Sequence, residues 1–182
     1  MRIGIDARFL THPQRGGFKT YVENLVAALA RIESAHEFVL YTDRAAPDLP
    51  IGAPRFQVRR VPGTWPGVGL AWREQVSLAR RTALDRLDLL HSPAQTAPLL
   101  SRCPLVVTIH DTFSLTRDAR SGAPASVRAR LLALYLRRVG GAAARRARRI
   151  ITVSRTSRDA LVRLLGLAPS RFAVVYEAAS PH

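Results

Sequence analysis

His110 and Asp111 close the run LVVTIH-D, an apolar strand pattern that ends on two titratable groups. A histidine at a strand end can hydrogen-bond a ligand hydroxyl or move a proton near neutral pH. A histidine there can equally be satisfied by the protein itself, with Asp111 capping the next turn through Thr112 or Phe113. On the residues alone both readings stand.

Four other places carry chemistry-bearing residues. Gly16 and Gly17 sit in the polar loop Thr11–Gly17, just before a helical pattern. A helix N-terminus offers free N–H groups and a positive dipole end, which suits a diphosphate. Glycines there let backbone approach the anion, or merely shape a turn. His91, in His91-Ser92-Pro93, ends another strand pattern, where the proline favours a turn. Glu74 lies in Trp72-Arg73-Glu74-Gln75, at an expected helix start that a carboxylate favours electrostatically. Ser154 has the type and place of a helix N-cap. No HExxH, G-x-S-x-G, Walker lysine or dinucleotide G-x-G-x-x-G pattern is present. No metal-ligand spacing is present either, so no metal is expected.

The elements that must position these groups alternate. Strand patterns fall at Arg2–Asp6, Glu37–Thr42, Phe56–Val61, Leu87–His91, Leu105–His110, Arg149–Val153 and Ala173–Tyr176. Helical spacings fall at Phe18–Arg31, Trp72–Arg86, Val127–Arg149 and Arg155–Leu165, the last ended by Gly166. Gly140-Gly141 predicts a break or kink in the long helix. This alternation specifies a layered α/β domain with a parallel sheet and helices on both faces.

Composition narrows the class further. A chain of 182 residues with 47% hydrophobic content can build its own core. One cysteine, Cys103, excludes a disulfide framework and fits a reducing compartment. No signal peptide and no membrane-length apolar run is read, so a cytoplasmic location is expected. The net charge is +15, and Lys19 is the only lysine among 28 basic residues. Such charge draws polyanions. The arginine-rich 127–149 helix, interleaved with leucines, could touch the inner face of an anionic membrane peripherally. It could instead be a solvated face over a core helix. No helix-turn-helix or stacking-aromatic signature accompanies it, so no specific nucleic-acid partner is expected.

The order of motifs is IGIDARFL, RGGFKTYVENLVAAL, WREQ, LDLLHSP, CPLVVTIHD, ARRARRIITVSRTSRDALVRLLG and RFAVVYEAASP. It resembles the N-terminal half of family 4 glycosyltransferases, the retaining GT-B enzymes, with VTIHD followed downstream by IITVS as the strongest pair. The resemblance implies an acceptor-side Rossmann-like domain over 1–176 and the start of an interdomain linker over 177–182. On this resemblance a donor-binding C-terminal domain is expected to be absent from these 182 residues. It implies transfer from a nucleotide-diphosphate sugar, with no cofactor or metal, to a glycan or lipid-linked acceptor.

By matching motifs, His110 would sit beside the transferred sugar with Asp111 supporting it. Gly16 and Gly17 would lie against the diphosphate or acceptor. His91, Ser154 and Glu74 would also belong to the binding site, and the loop Thr116–Pro124 would help choose the acceptor. Half a cleft supplies only part of the charge a leaving diphosphate needs, so the chain alone would be inactive. The alternative is a free-standing, non-catalytic module that binds a glycan, an anionic lipid or a partner subunit.

Overall fold

A computed structural model describes residues 1–13, 16–45, 54–63, 65, 68–113, 115–116 and 126–177. Strand β1 (Arg2–Ile5) leads through a 3-10 turn, Arg8–Thr11, into helix α1 (Gly17–Arg31). Strands β2 (Glu37–Thr42) and β3 (Phe56–Arg60) follow. Helix α2 (Gly69–Trp72), a π-helical stretch (Arg73–Leu78) and helix α3 (Ala79–Leu84) run on as one rod. Strands β4 (Leu89–Ser92) and β5 (Leu105–Thr108) come next. Helix α4 (Val127–Arg146), strand β6 (Arg149–Thr152), helix α5 (Arg155–Leu165) and strand β7 (Phe172–Val174) complete the order.

These strands form one seven-stranded sheet in the order β3-β2-β1-β4-β5-β6-β7, and every pairing is parallel. The fold is Rossmann-like. Alternation along β2 shows why both faces need cover. Phe38 and Leu40 pack with Ile5 and with Val22 and Val26 of α1. Val39 and Tyr41 face the other way, into a core with Leu90, Leu105, Val107, Ala143 of α4 and Leu161 of α5. Each such fully buried aliphatic side chain contributes about 1.5–3 kcal/mol. Strand order reverses between β1 and β4, and ligands bind at the carboxyl edge of such a switch point.

Several local expectations hold. The Ser154 hydroxyl accepts from the Ser157 N–H at 3.0 Å, and Gly166 ends α5 at φ 64. Two differ. The rod begins at Gly69, not Trp72, so Glu74 is not in its first turn. Helix α4 runs unbroken through Gly140 and Gly141, and both glycines are buried. A Cβ on Gly140 would stand 2.9 Å from Leu115 Cδ2, so the glycine there answers a close approach. Apart from Thr116, the loop Thr116–Pro124 lies outside the described residues, as does the expected linker beyond Glu177.

Candidate functional site

Strand β5 delivers His110 to the carboxyl edge, where it meets the first turn and a half of α1. Its ring stands edge-on to Phe18, with centroids 5.2 Å apart, and to Tyr21 at 4.7 Å. Phe18 stacks on Phe9 at 5.1 Å, so an aromatic wall lines this mouth. The His110 Nε2 lies 3.2 Å from the Pro93 carbonyl, and Nδ1 lies 2.9 Å from Glu177 Oε1. Asp111 faces outward, and its carboxylate accepts from the Phe113 N–H at 2.8 Å. It thus makes the local turn that its type allows.

Helix α1 opens with no side-chain cap on its N–H groups, and Gly16 is extended, with φ 173. A Cβ on Gly16 or Gly17 would touch no described atom within 4 Å. Lys19, in the same turn, donates to the His12 carbonyl at 3.1 Å.

His91 and Glu74 were expected among ligand-contacting groups, but both lie inside the protein. His91 Nε2 is 2.9 Å from Thr108 Oγ1, which is 3.3 Å from the Tyr21 hydroxyl. Burial pushes the His91 pKa down to about 4 and keeps the ring neutral at physiological pH. His91 thus reaches the mouth only through Thr108 and Tyr21. Ser154 also spends its hydroxyl locally, on the N-cap of α5.

Glu74 is fully buried, at the end of an ion-pair chain that sequence reasoning missed. Arg73 Nη2 donates to Asp6 Oδ1 at 2.8 Å, and Arg8 Nη1 donates to Asp6 Oδ2 at 3.2 Å and Glu74 Oε2 at 2.9 Å. Glu74 also accepts from the Thr96 hydroxyl at 2.6 Å, the Gln75 amide at 2.9 Å and the Tyr135 hydroxyl at 2.6 Å. Charges thus alternate and cancel, the condition under which burial is tolerated. Burial raises the pKa of Asp6, but the Arg73 and Arg8 guanidiniums outweigh it, so it ends below the ordinary value. Burial and then the Glu74 charge raise the Tyr135 pKa, so this hydroxyl stays a donor. The π-helical stretch turns the adjacent Arg73 and Glu74 both inward. The available signal was the adjacent opposite charges Arg73-Glu74 within an expected core helix.

A parallel sheet that reverses its order beside the start of α1 and the strand-end His110 defines a Rossmann-like α/β domain. The sequence model of Glycosyltransferase Family 4 matches residues 15–181, and the chain belongs to that family. No curated protein matches. Among solved structures, a mutant O-GlcNAc transferase of Thermobaculum terrenum is similar at 16% identity and TM-score 0.37, over 99% of this chain and 45% of that one. A UDP-galactose 4-epimerase is similar at 12% identity and TM-score 0.40, over 84% of this chain and 55% of that one. The chain thus spans about half the length of these structures. Among the described residues, no helix is long and apolar enough to cross a membrane.

Proposed function

We propose that this chain is the acceptor-side half of a retaining, two-domain GT-B glycosyltransferase. It would serve transfer of a sugar from a nucleotide-diphosphate sugar to a glycan or lipid-linked acceptor, without a metal or cofactor. Family membership over residues 15–181 carries this reading. The placement of His110 beside the uncapped start of α1 supports it. The open space over Gly16 and Gly17 would admit a sugar or phosphate group. Asp111 would shape the turn that presents His110, and Ser154 would hold the start of α5 at the same edge.

Charge supports the companion reading that the half is inactive alone. Arg8 and Arg73 are already neutralised by Asp6 and Glu74. Among the described residues beside α1, that leaves a leaving diphosphate the helix dipole, Lys19 and His110. Preorganised positive groups are the main source of stabilisation for such a leaving group. The rest would come from a donor-binding half.

The test is nucleoside-diphosphate release by the full-length protein from a panel of nucleotide sugars. Release that falls at least about a hundredfold in His110→Ala supports the assignment. Release that is undiminished in that variant would sink it.

A second reading, a non-catalytic module that docks on an anionic membrane from the cytoplasmic side, has its own observation. The amino-terminal half of α4 exposes Val127, Leu131, Leu132 and Leu134 beside Arg128, Arg130 and Arg138, and α4 has no acidic residue. Trp72 and Val76 are exposed on the neighbouring rod. Sedimentation with phosphatidylglycerol vesicles at low and high salt tests this contact, and it requires salt-sensitive binding.

A further inference from the structure

The segment after β4 is a loop, yet residues 93–98 are all buried. Buried loop backbone needs partners for its polar groups. The Gln95 N–H donates to the Thr108 carbonyl at 3.0 Å. Gln75 takes two more groups: its amide donates to the Ala97 carbonyl at 3.1 Å, and its oxygen accepts from the Leu99 N–H at 2.9 Å. Thr96 ties the segment to Glu74 at 2.6 Å. Gln95 sits at φ 62, a left-handed conformation that a non-glycine residue adopts only when its surroundings impose it.

This strapped segment begins with Pro93, whose carbonyl lies 3.2 Å from His110 Nε2. A carbonyl can only accept, so Nε2 must carry a proton. The bond made by one ring nitrogen sets the role of the other. Nδ1 faces Glu177, a half-exposed carboxylate just past β7. Nδ1 donates to Glu177 when the ring holds both protons. In the neutral ring Nδ1 has a free lone pair.

We infer that Thr96, anchored on Glu74, and Gln75 are positioning residues for His110. They fix the Pro93 carbonyl and hold the proton on Nε2, and Nδ1 is the nitrogen offered to a substrate hydroxyl, with Glu177 its exchangeable partner. The Nδ1 assignment rests on the reading of His110 as a substrate-contacting group. The anchoring of Nε2 does not.

The anchoring is tested by long-range nitrogen–proton NMR of the 182-residue chain, at a pH where the ring is neutral. The wild type should show His110 with its proton on Nε2. Thr96→Val should shift or broaden both ring nitrogens of His110, and Thr96→Ser should restore them. Phe38→Leu, a change in the core cluster that holds no residue of the segment, should lower the melting temperature and leave His110 unmoved. Glu177→Ala, at an exposed carboxylate, should move Nδ1 alone, and it keeps the test decisive if Thr96→Val does not fold. An unmoved His110 in folded Thr96→Val, or Nε2 moving as much as Nδ1 in Glu177→Ala, overturns the proposal.

In the full-length protein, nucleoside-diphosphate release should then show kcat about tenfold lower in Thr96→Val, with KM for the sugar nucleotide nearly unchanged. If the NMR changes occur and kcat does not move, the anchoring stands. The reading of His110 as a substrate contact then fails, and the role given to Nδ1 fails with it.

Discussion

The Tyr135 hydroxyl donates to Glu74 Oε1 at 2.6 Å, so a residue of α4 closes an ion-pair chain that begins at the end of β1. Four elements converge on that one carboxylate. Removing its charge would leave Arg8 and Arg73 sharing the single charge of Asp6. Breaking a buried pair from one side costs about 3–5 kcal/mol. Glu74→Gln should lose that much stability in urea unfolding, against about 1 kcal/mol for Tyr135→Phe. Equal losses in the two variants would mean that the network does not centre on Glu74.

His91 gives stability a pH dependence of definite sign. Burial lowers its pKa from the ordinary 6.5 to about 4. Between these values the unfolded chain binds more protons than the folded one, so stability rises with pH across the window. The contribution is complete above the unfolded value and is lost as pH falls towards the folded one. Its size is about 3 kcal/mol. Asp6 acts in the same direction at lower pH and is common to wild type and variant. Unfolding free energies of His91→Gln should therefore vary less with pH from about 4 to about 6.5 than those of the wild type. Parallel curves would show that His91 is not buried neutral.

Adjacent glycines in α4 should respond oppositely to alanine. At Gly140 the new methyl meets Leu115 Cδ2 at 2.9 Å and the Gln95 carbonyl at 3.4 Å. Overpacking of this kind costs about 1–3 kcal/mol. At Gly141 the nearest atom is Nη1 of Arg145, at 3.3 Å, the far end of a long side chain that donates to the Gly141 carbonyl and can shift by a few tenths of an ångström. There the helix propensity of alanine should prevail and stabilise by about 1 kcal/mol. Thermal melts of the two variants decide it, and a stabilised Gly140→Ala would contradict the packing described.

Arg171 closes the carboxyl end of α4. Its Nη2 donates to the carbonyls of Ala144, Arg145 and Ala147. All three bonds come from that one nitrogen, so no two-nitrogen fork is used, and a lysine ammonium offers three donors on a single nitrogen. Arg171→Lys should therefore recover a good part of the roughly 1 kcal/mol lost in Arg171→Ala. No recovery by lysine would show that the reach of the guanidinium is required there.

Much of this architecture was legible because its causes are local. Continuous apolarity marks β5, helical spacing marks α1, and Ser154 and Gly166 bound α5 through capping chemistry that needs no distant partner. The misreadings share the opposite property. Gly140 looks like a helix breaker until Leu115 lies against it. Glu74 looks like a first-turn carboxylate until Arg8, Thr96 and Tyr135, each remote in sequence, gather round it. Asp111 was readable as a turn former from its type alone. The inward turn of His91 was not, because it depends on which strand neighbours β4.

Lys19 has one further consequence. It bears the only side-chain amine among these 182 residues, and it stands in the first turn of α1 beside Phe18. With arginine at every other Lys/Arg position, amine-directed chemistry has one side-chain target in this chain. A fluorophore or cross-linker placed there would report from the rim of the aromatic mouth, with no engineered cysteine required.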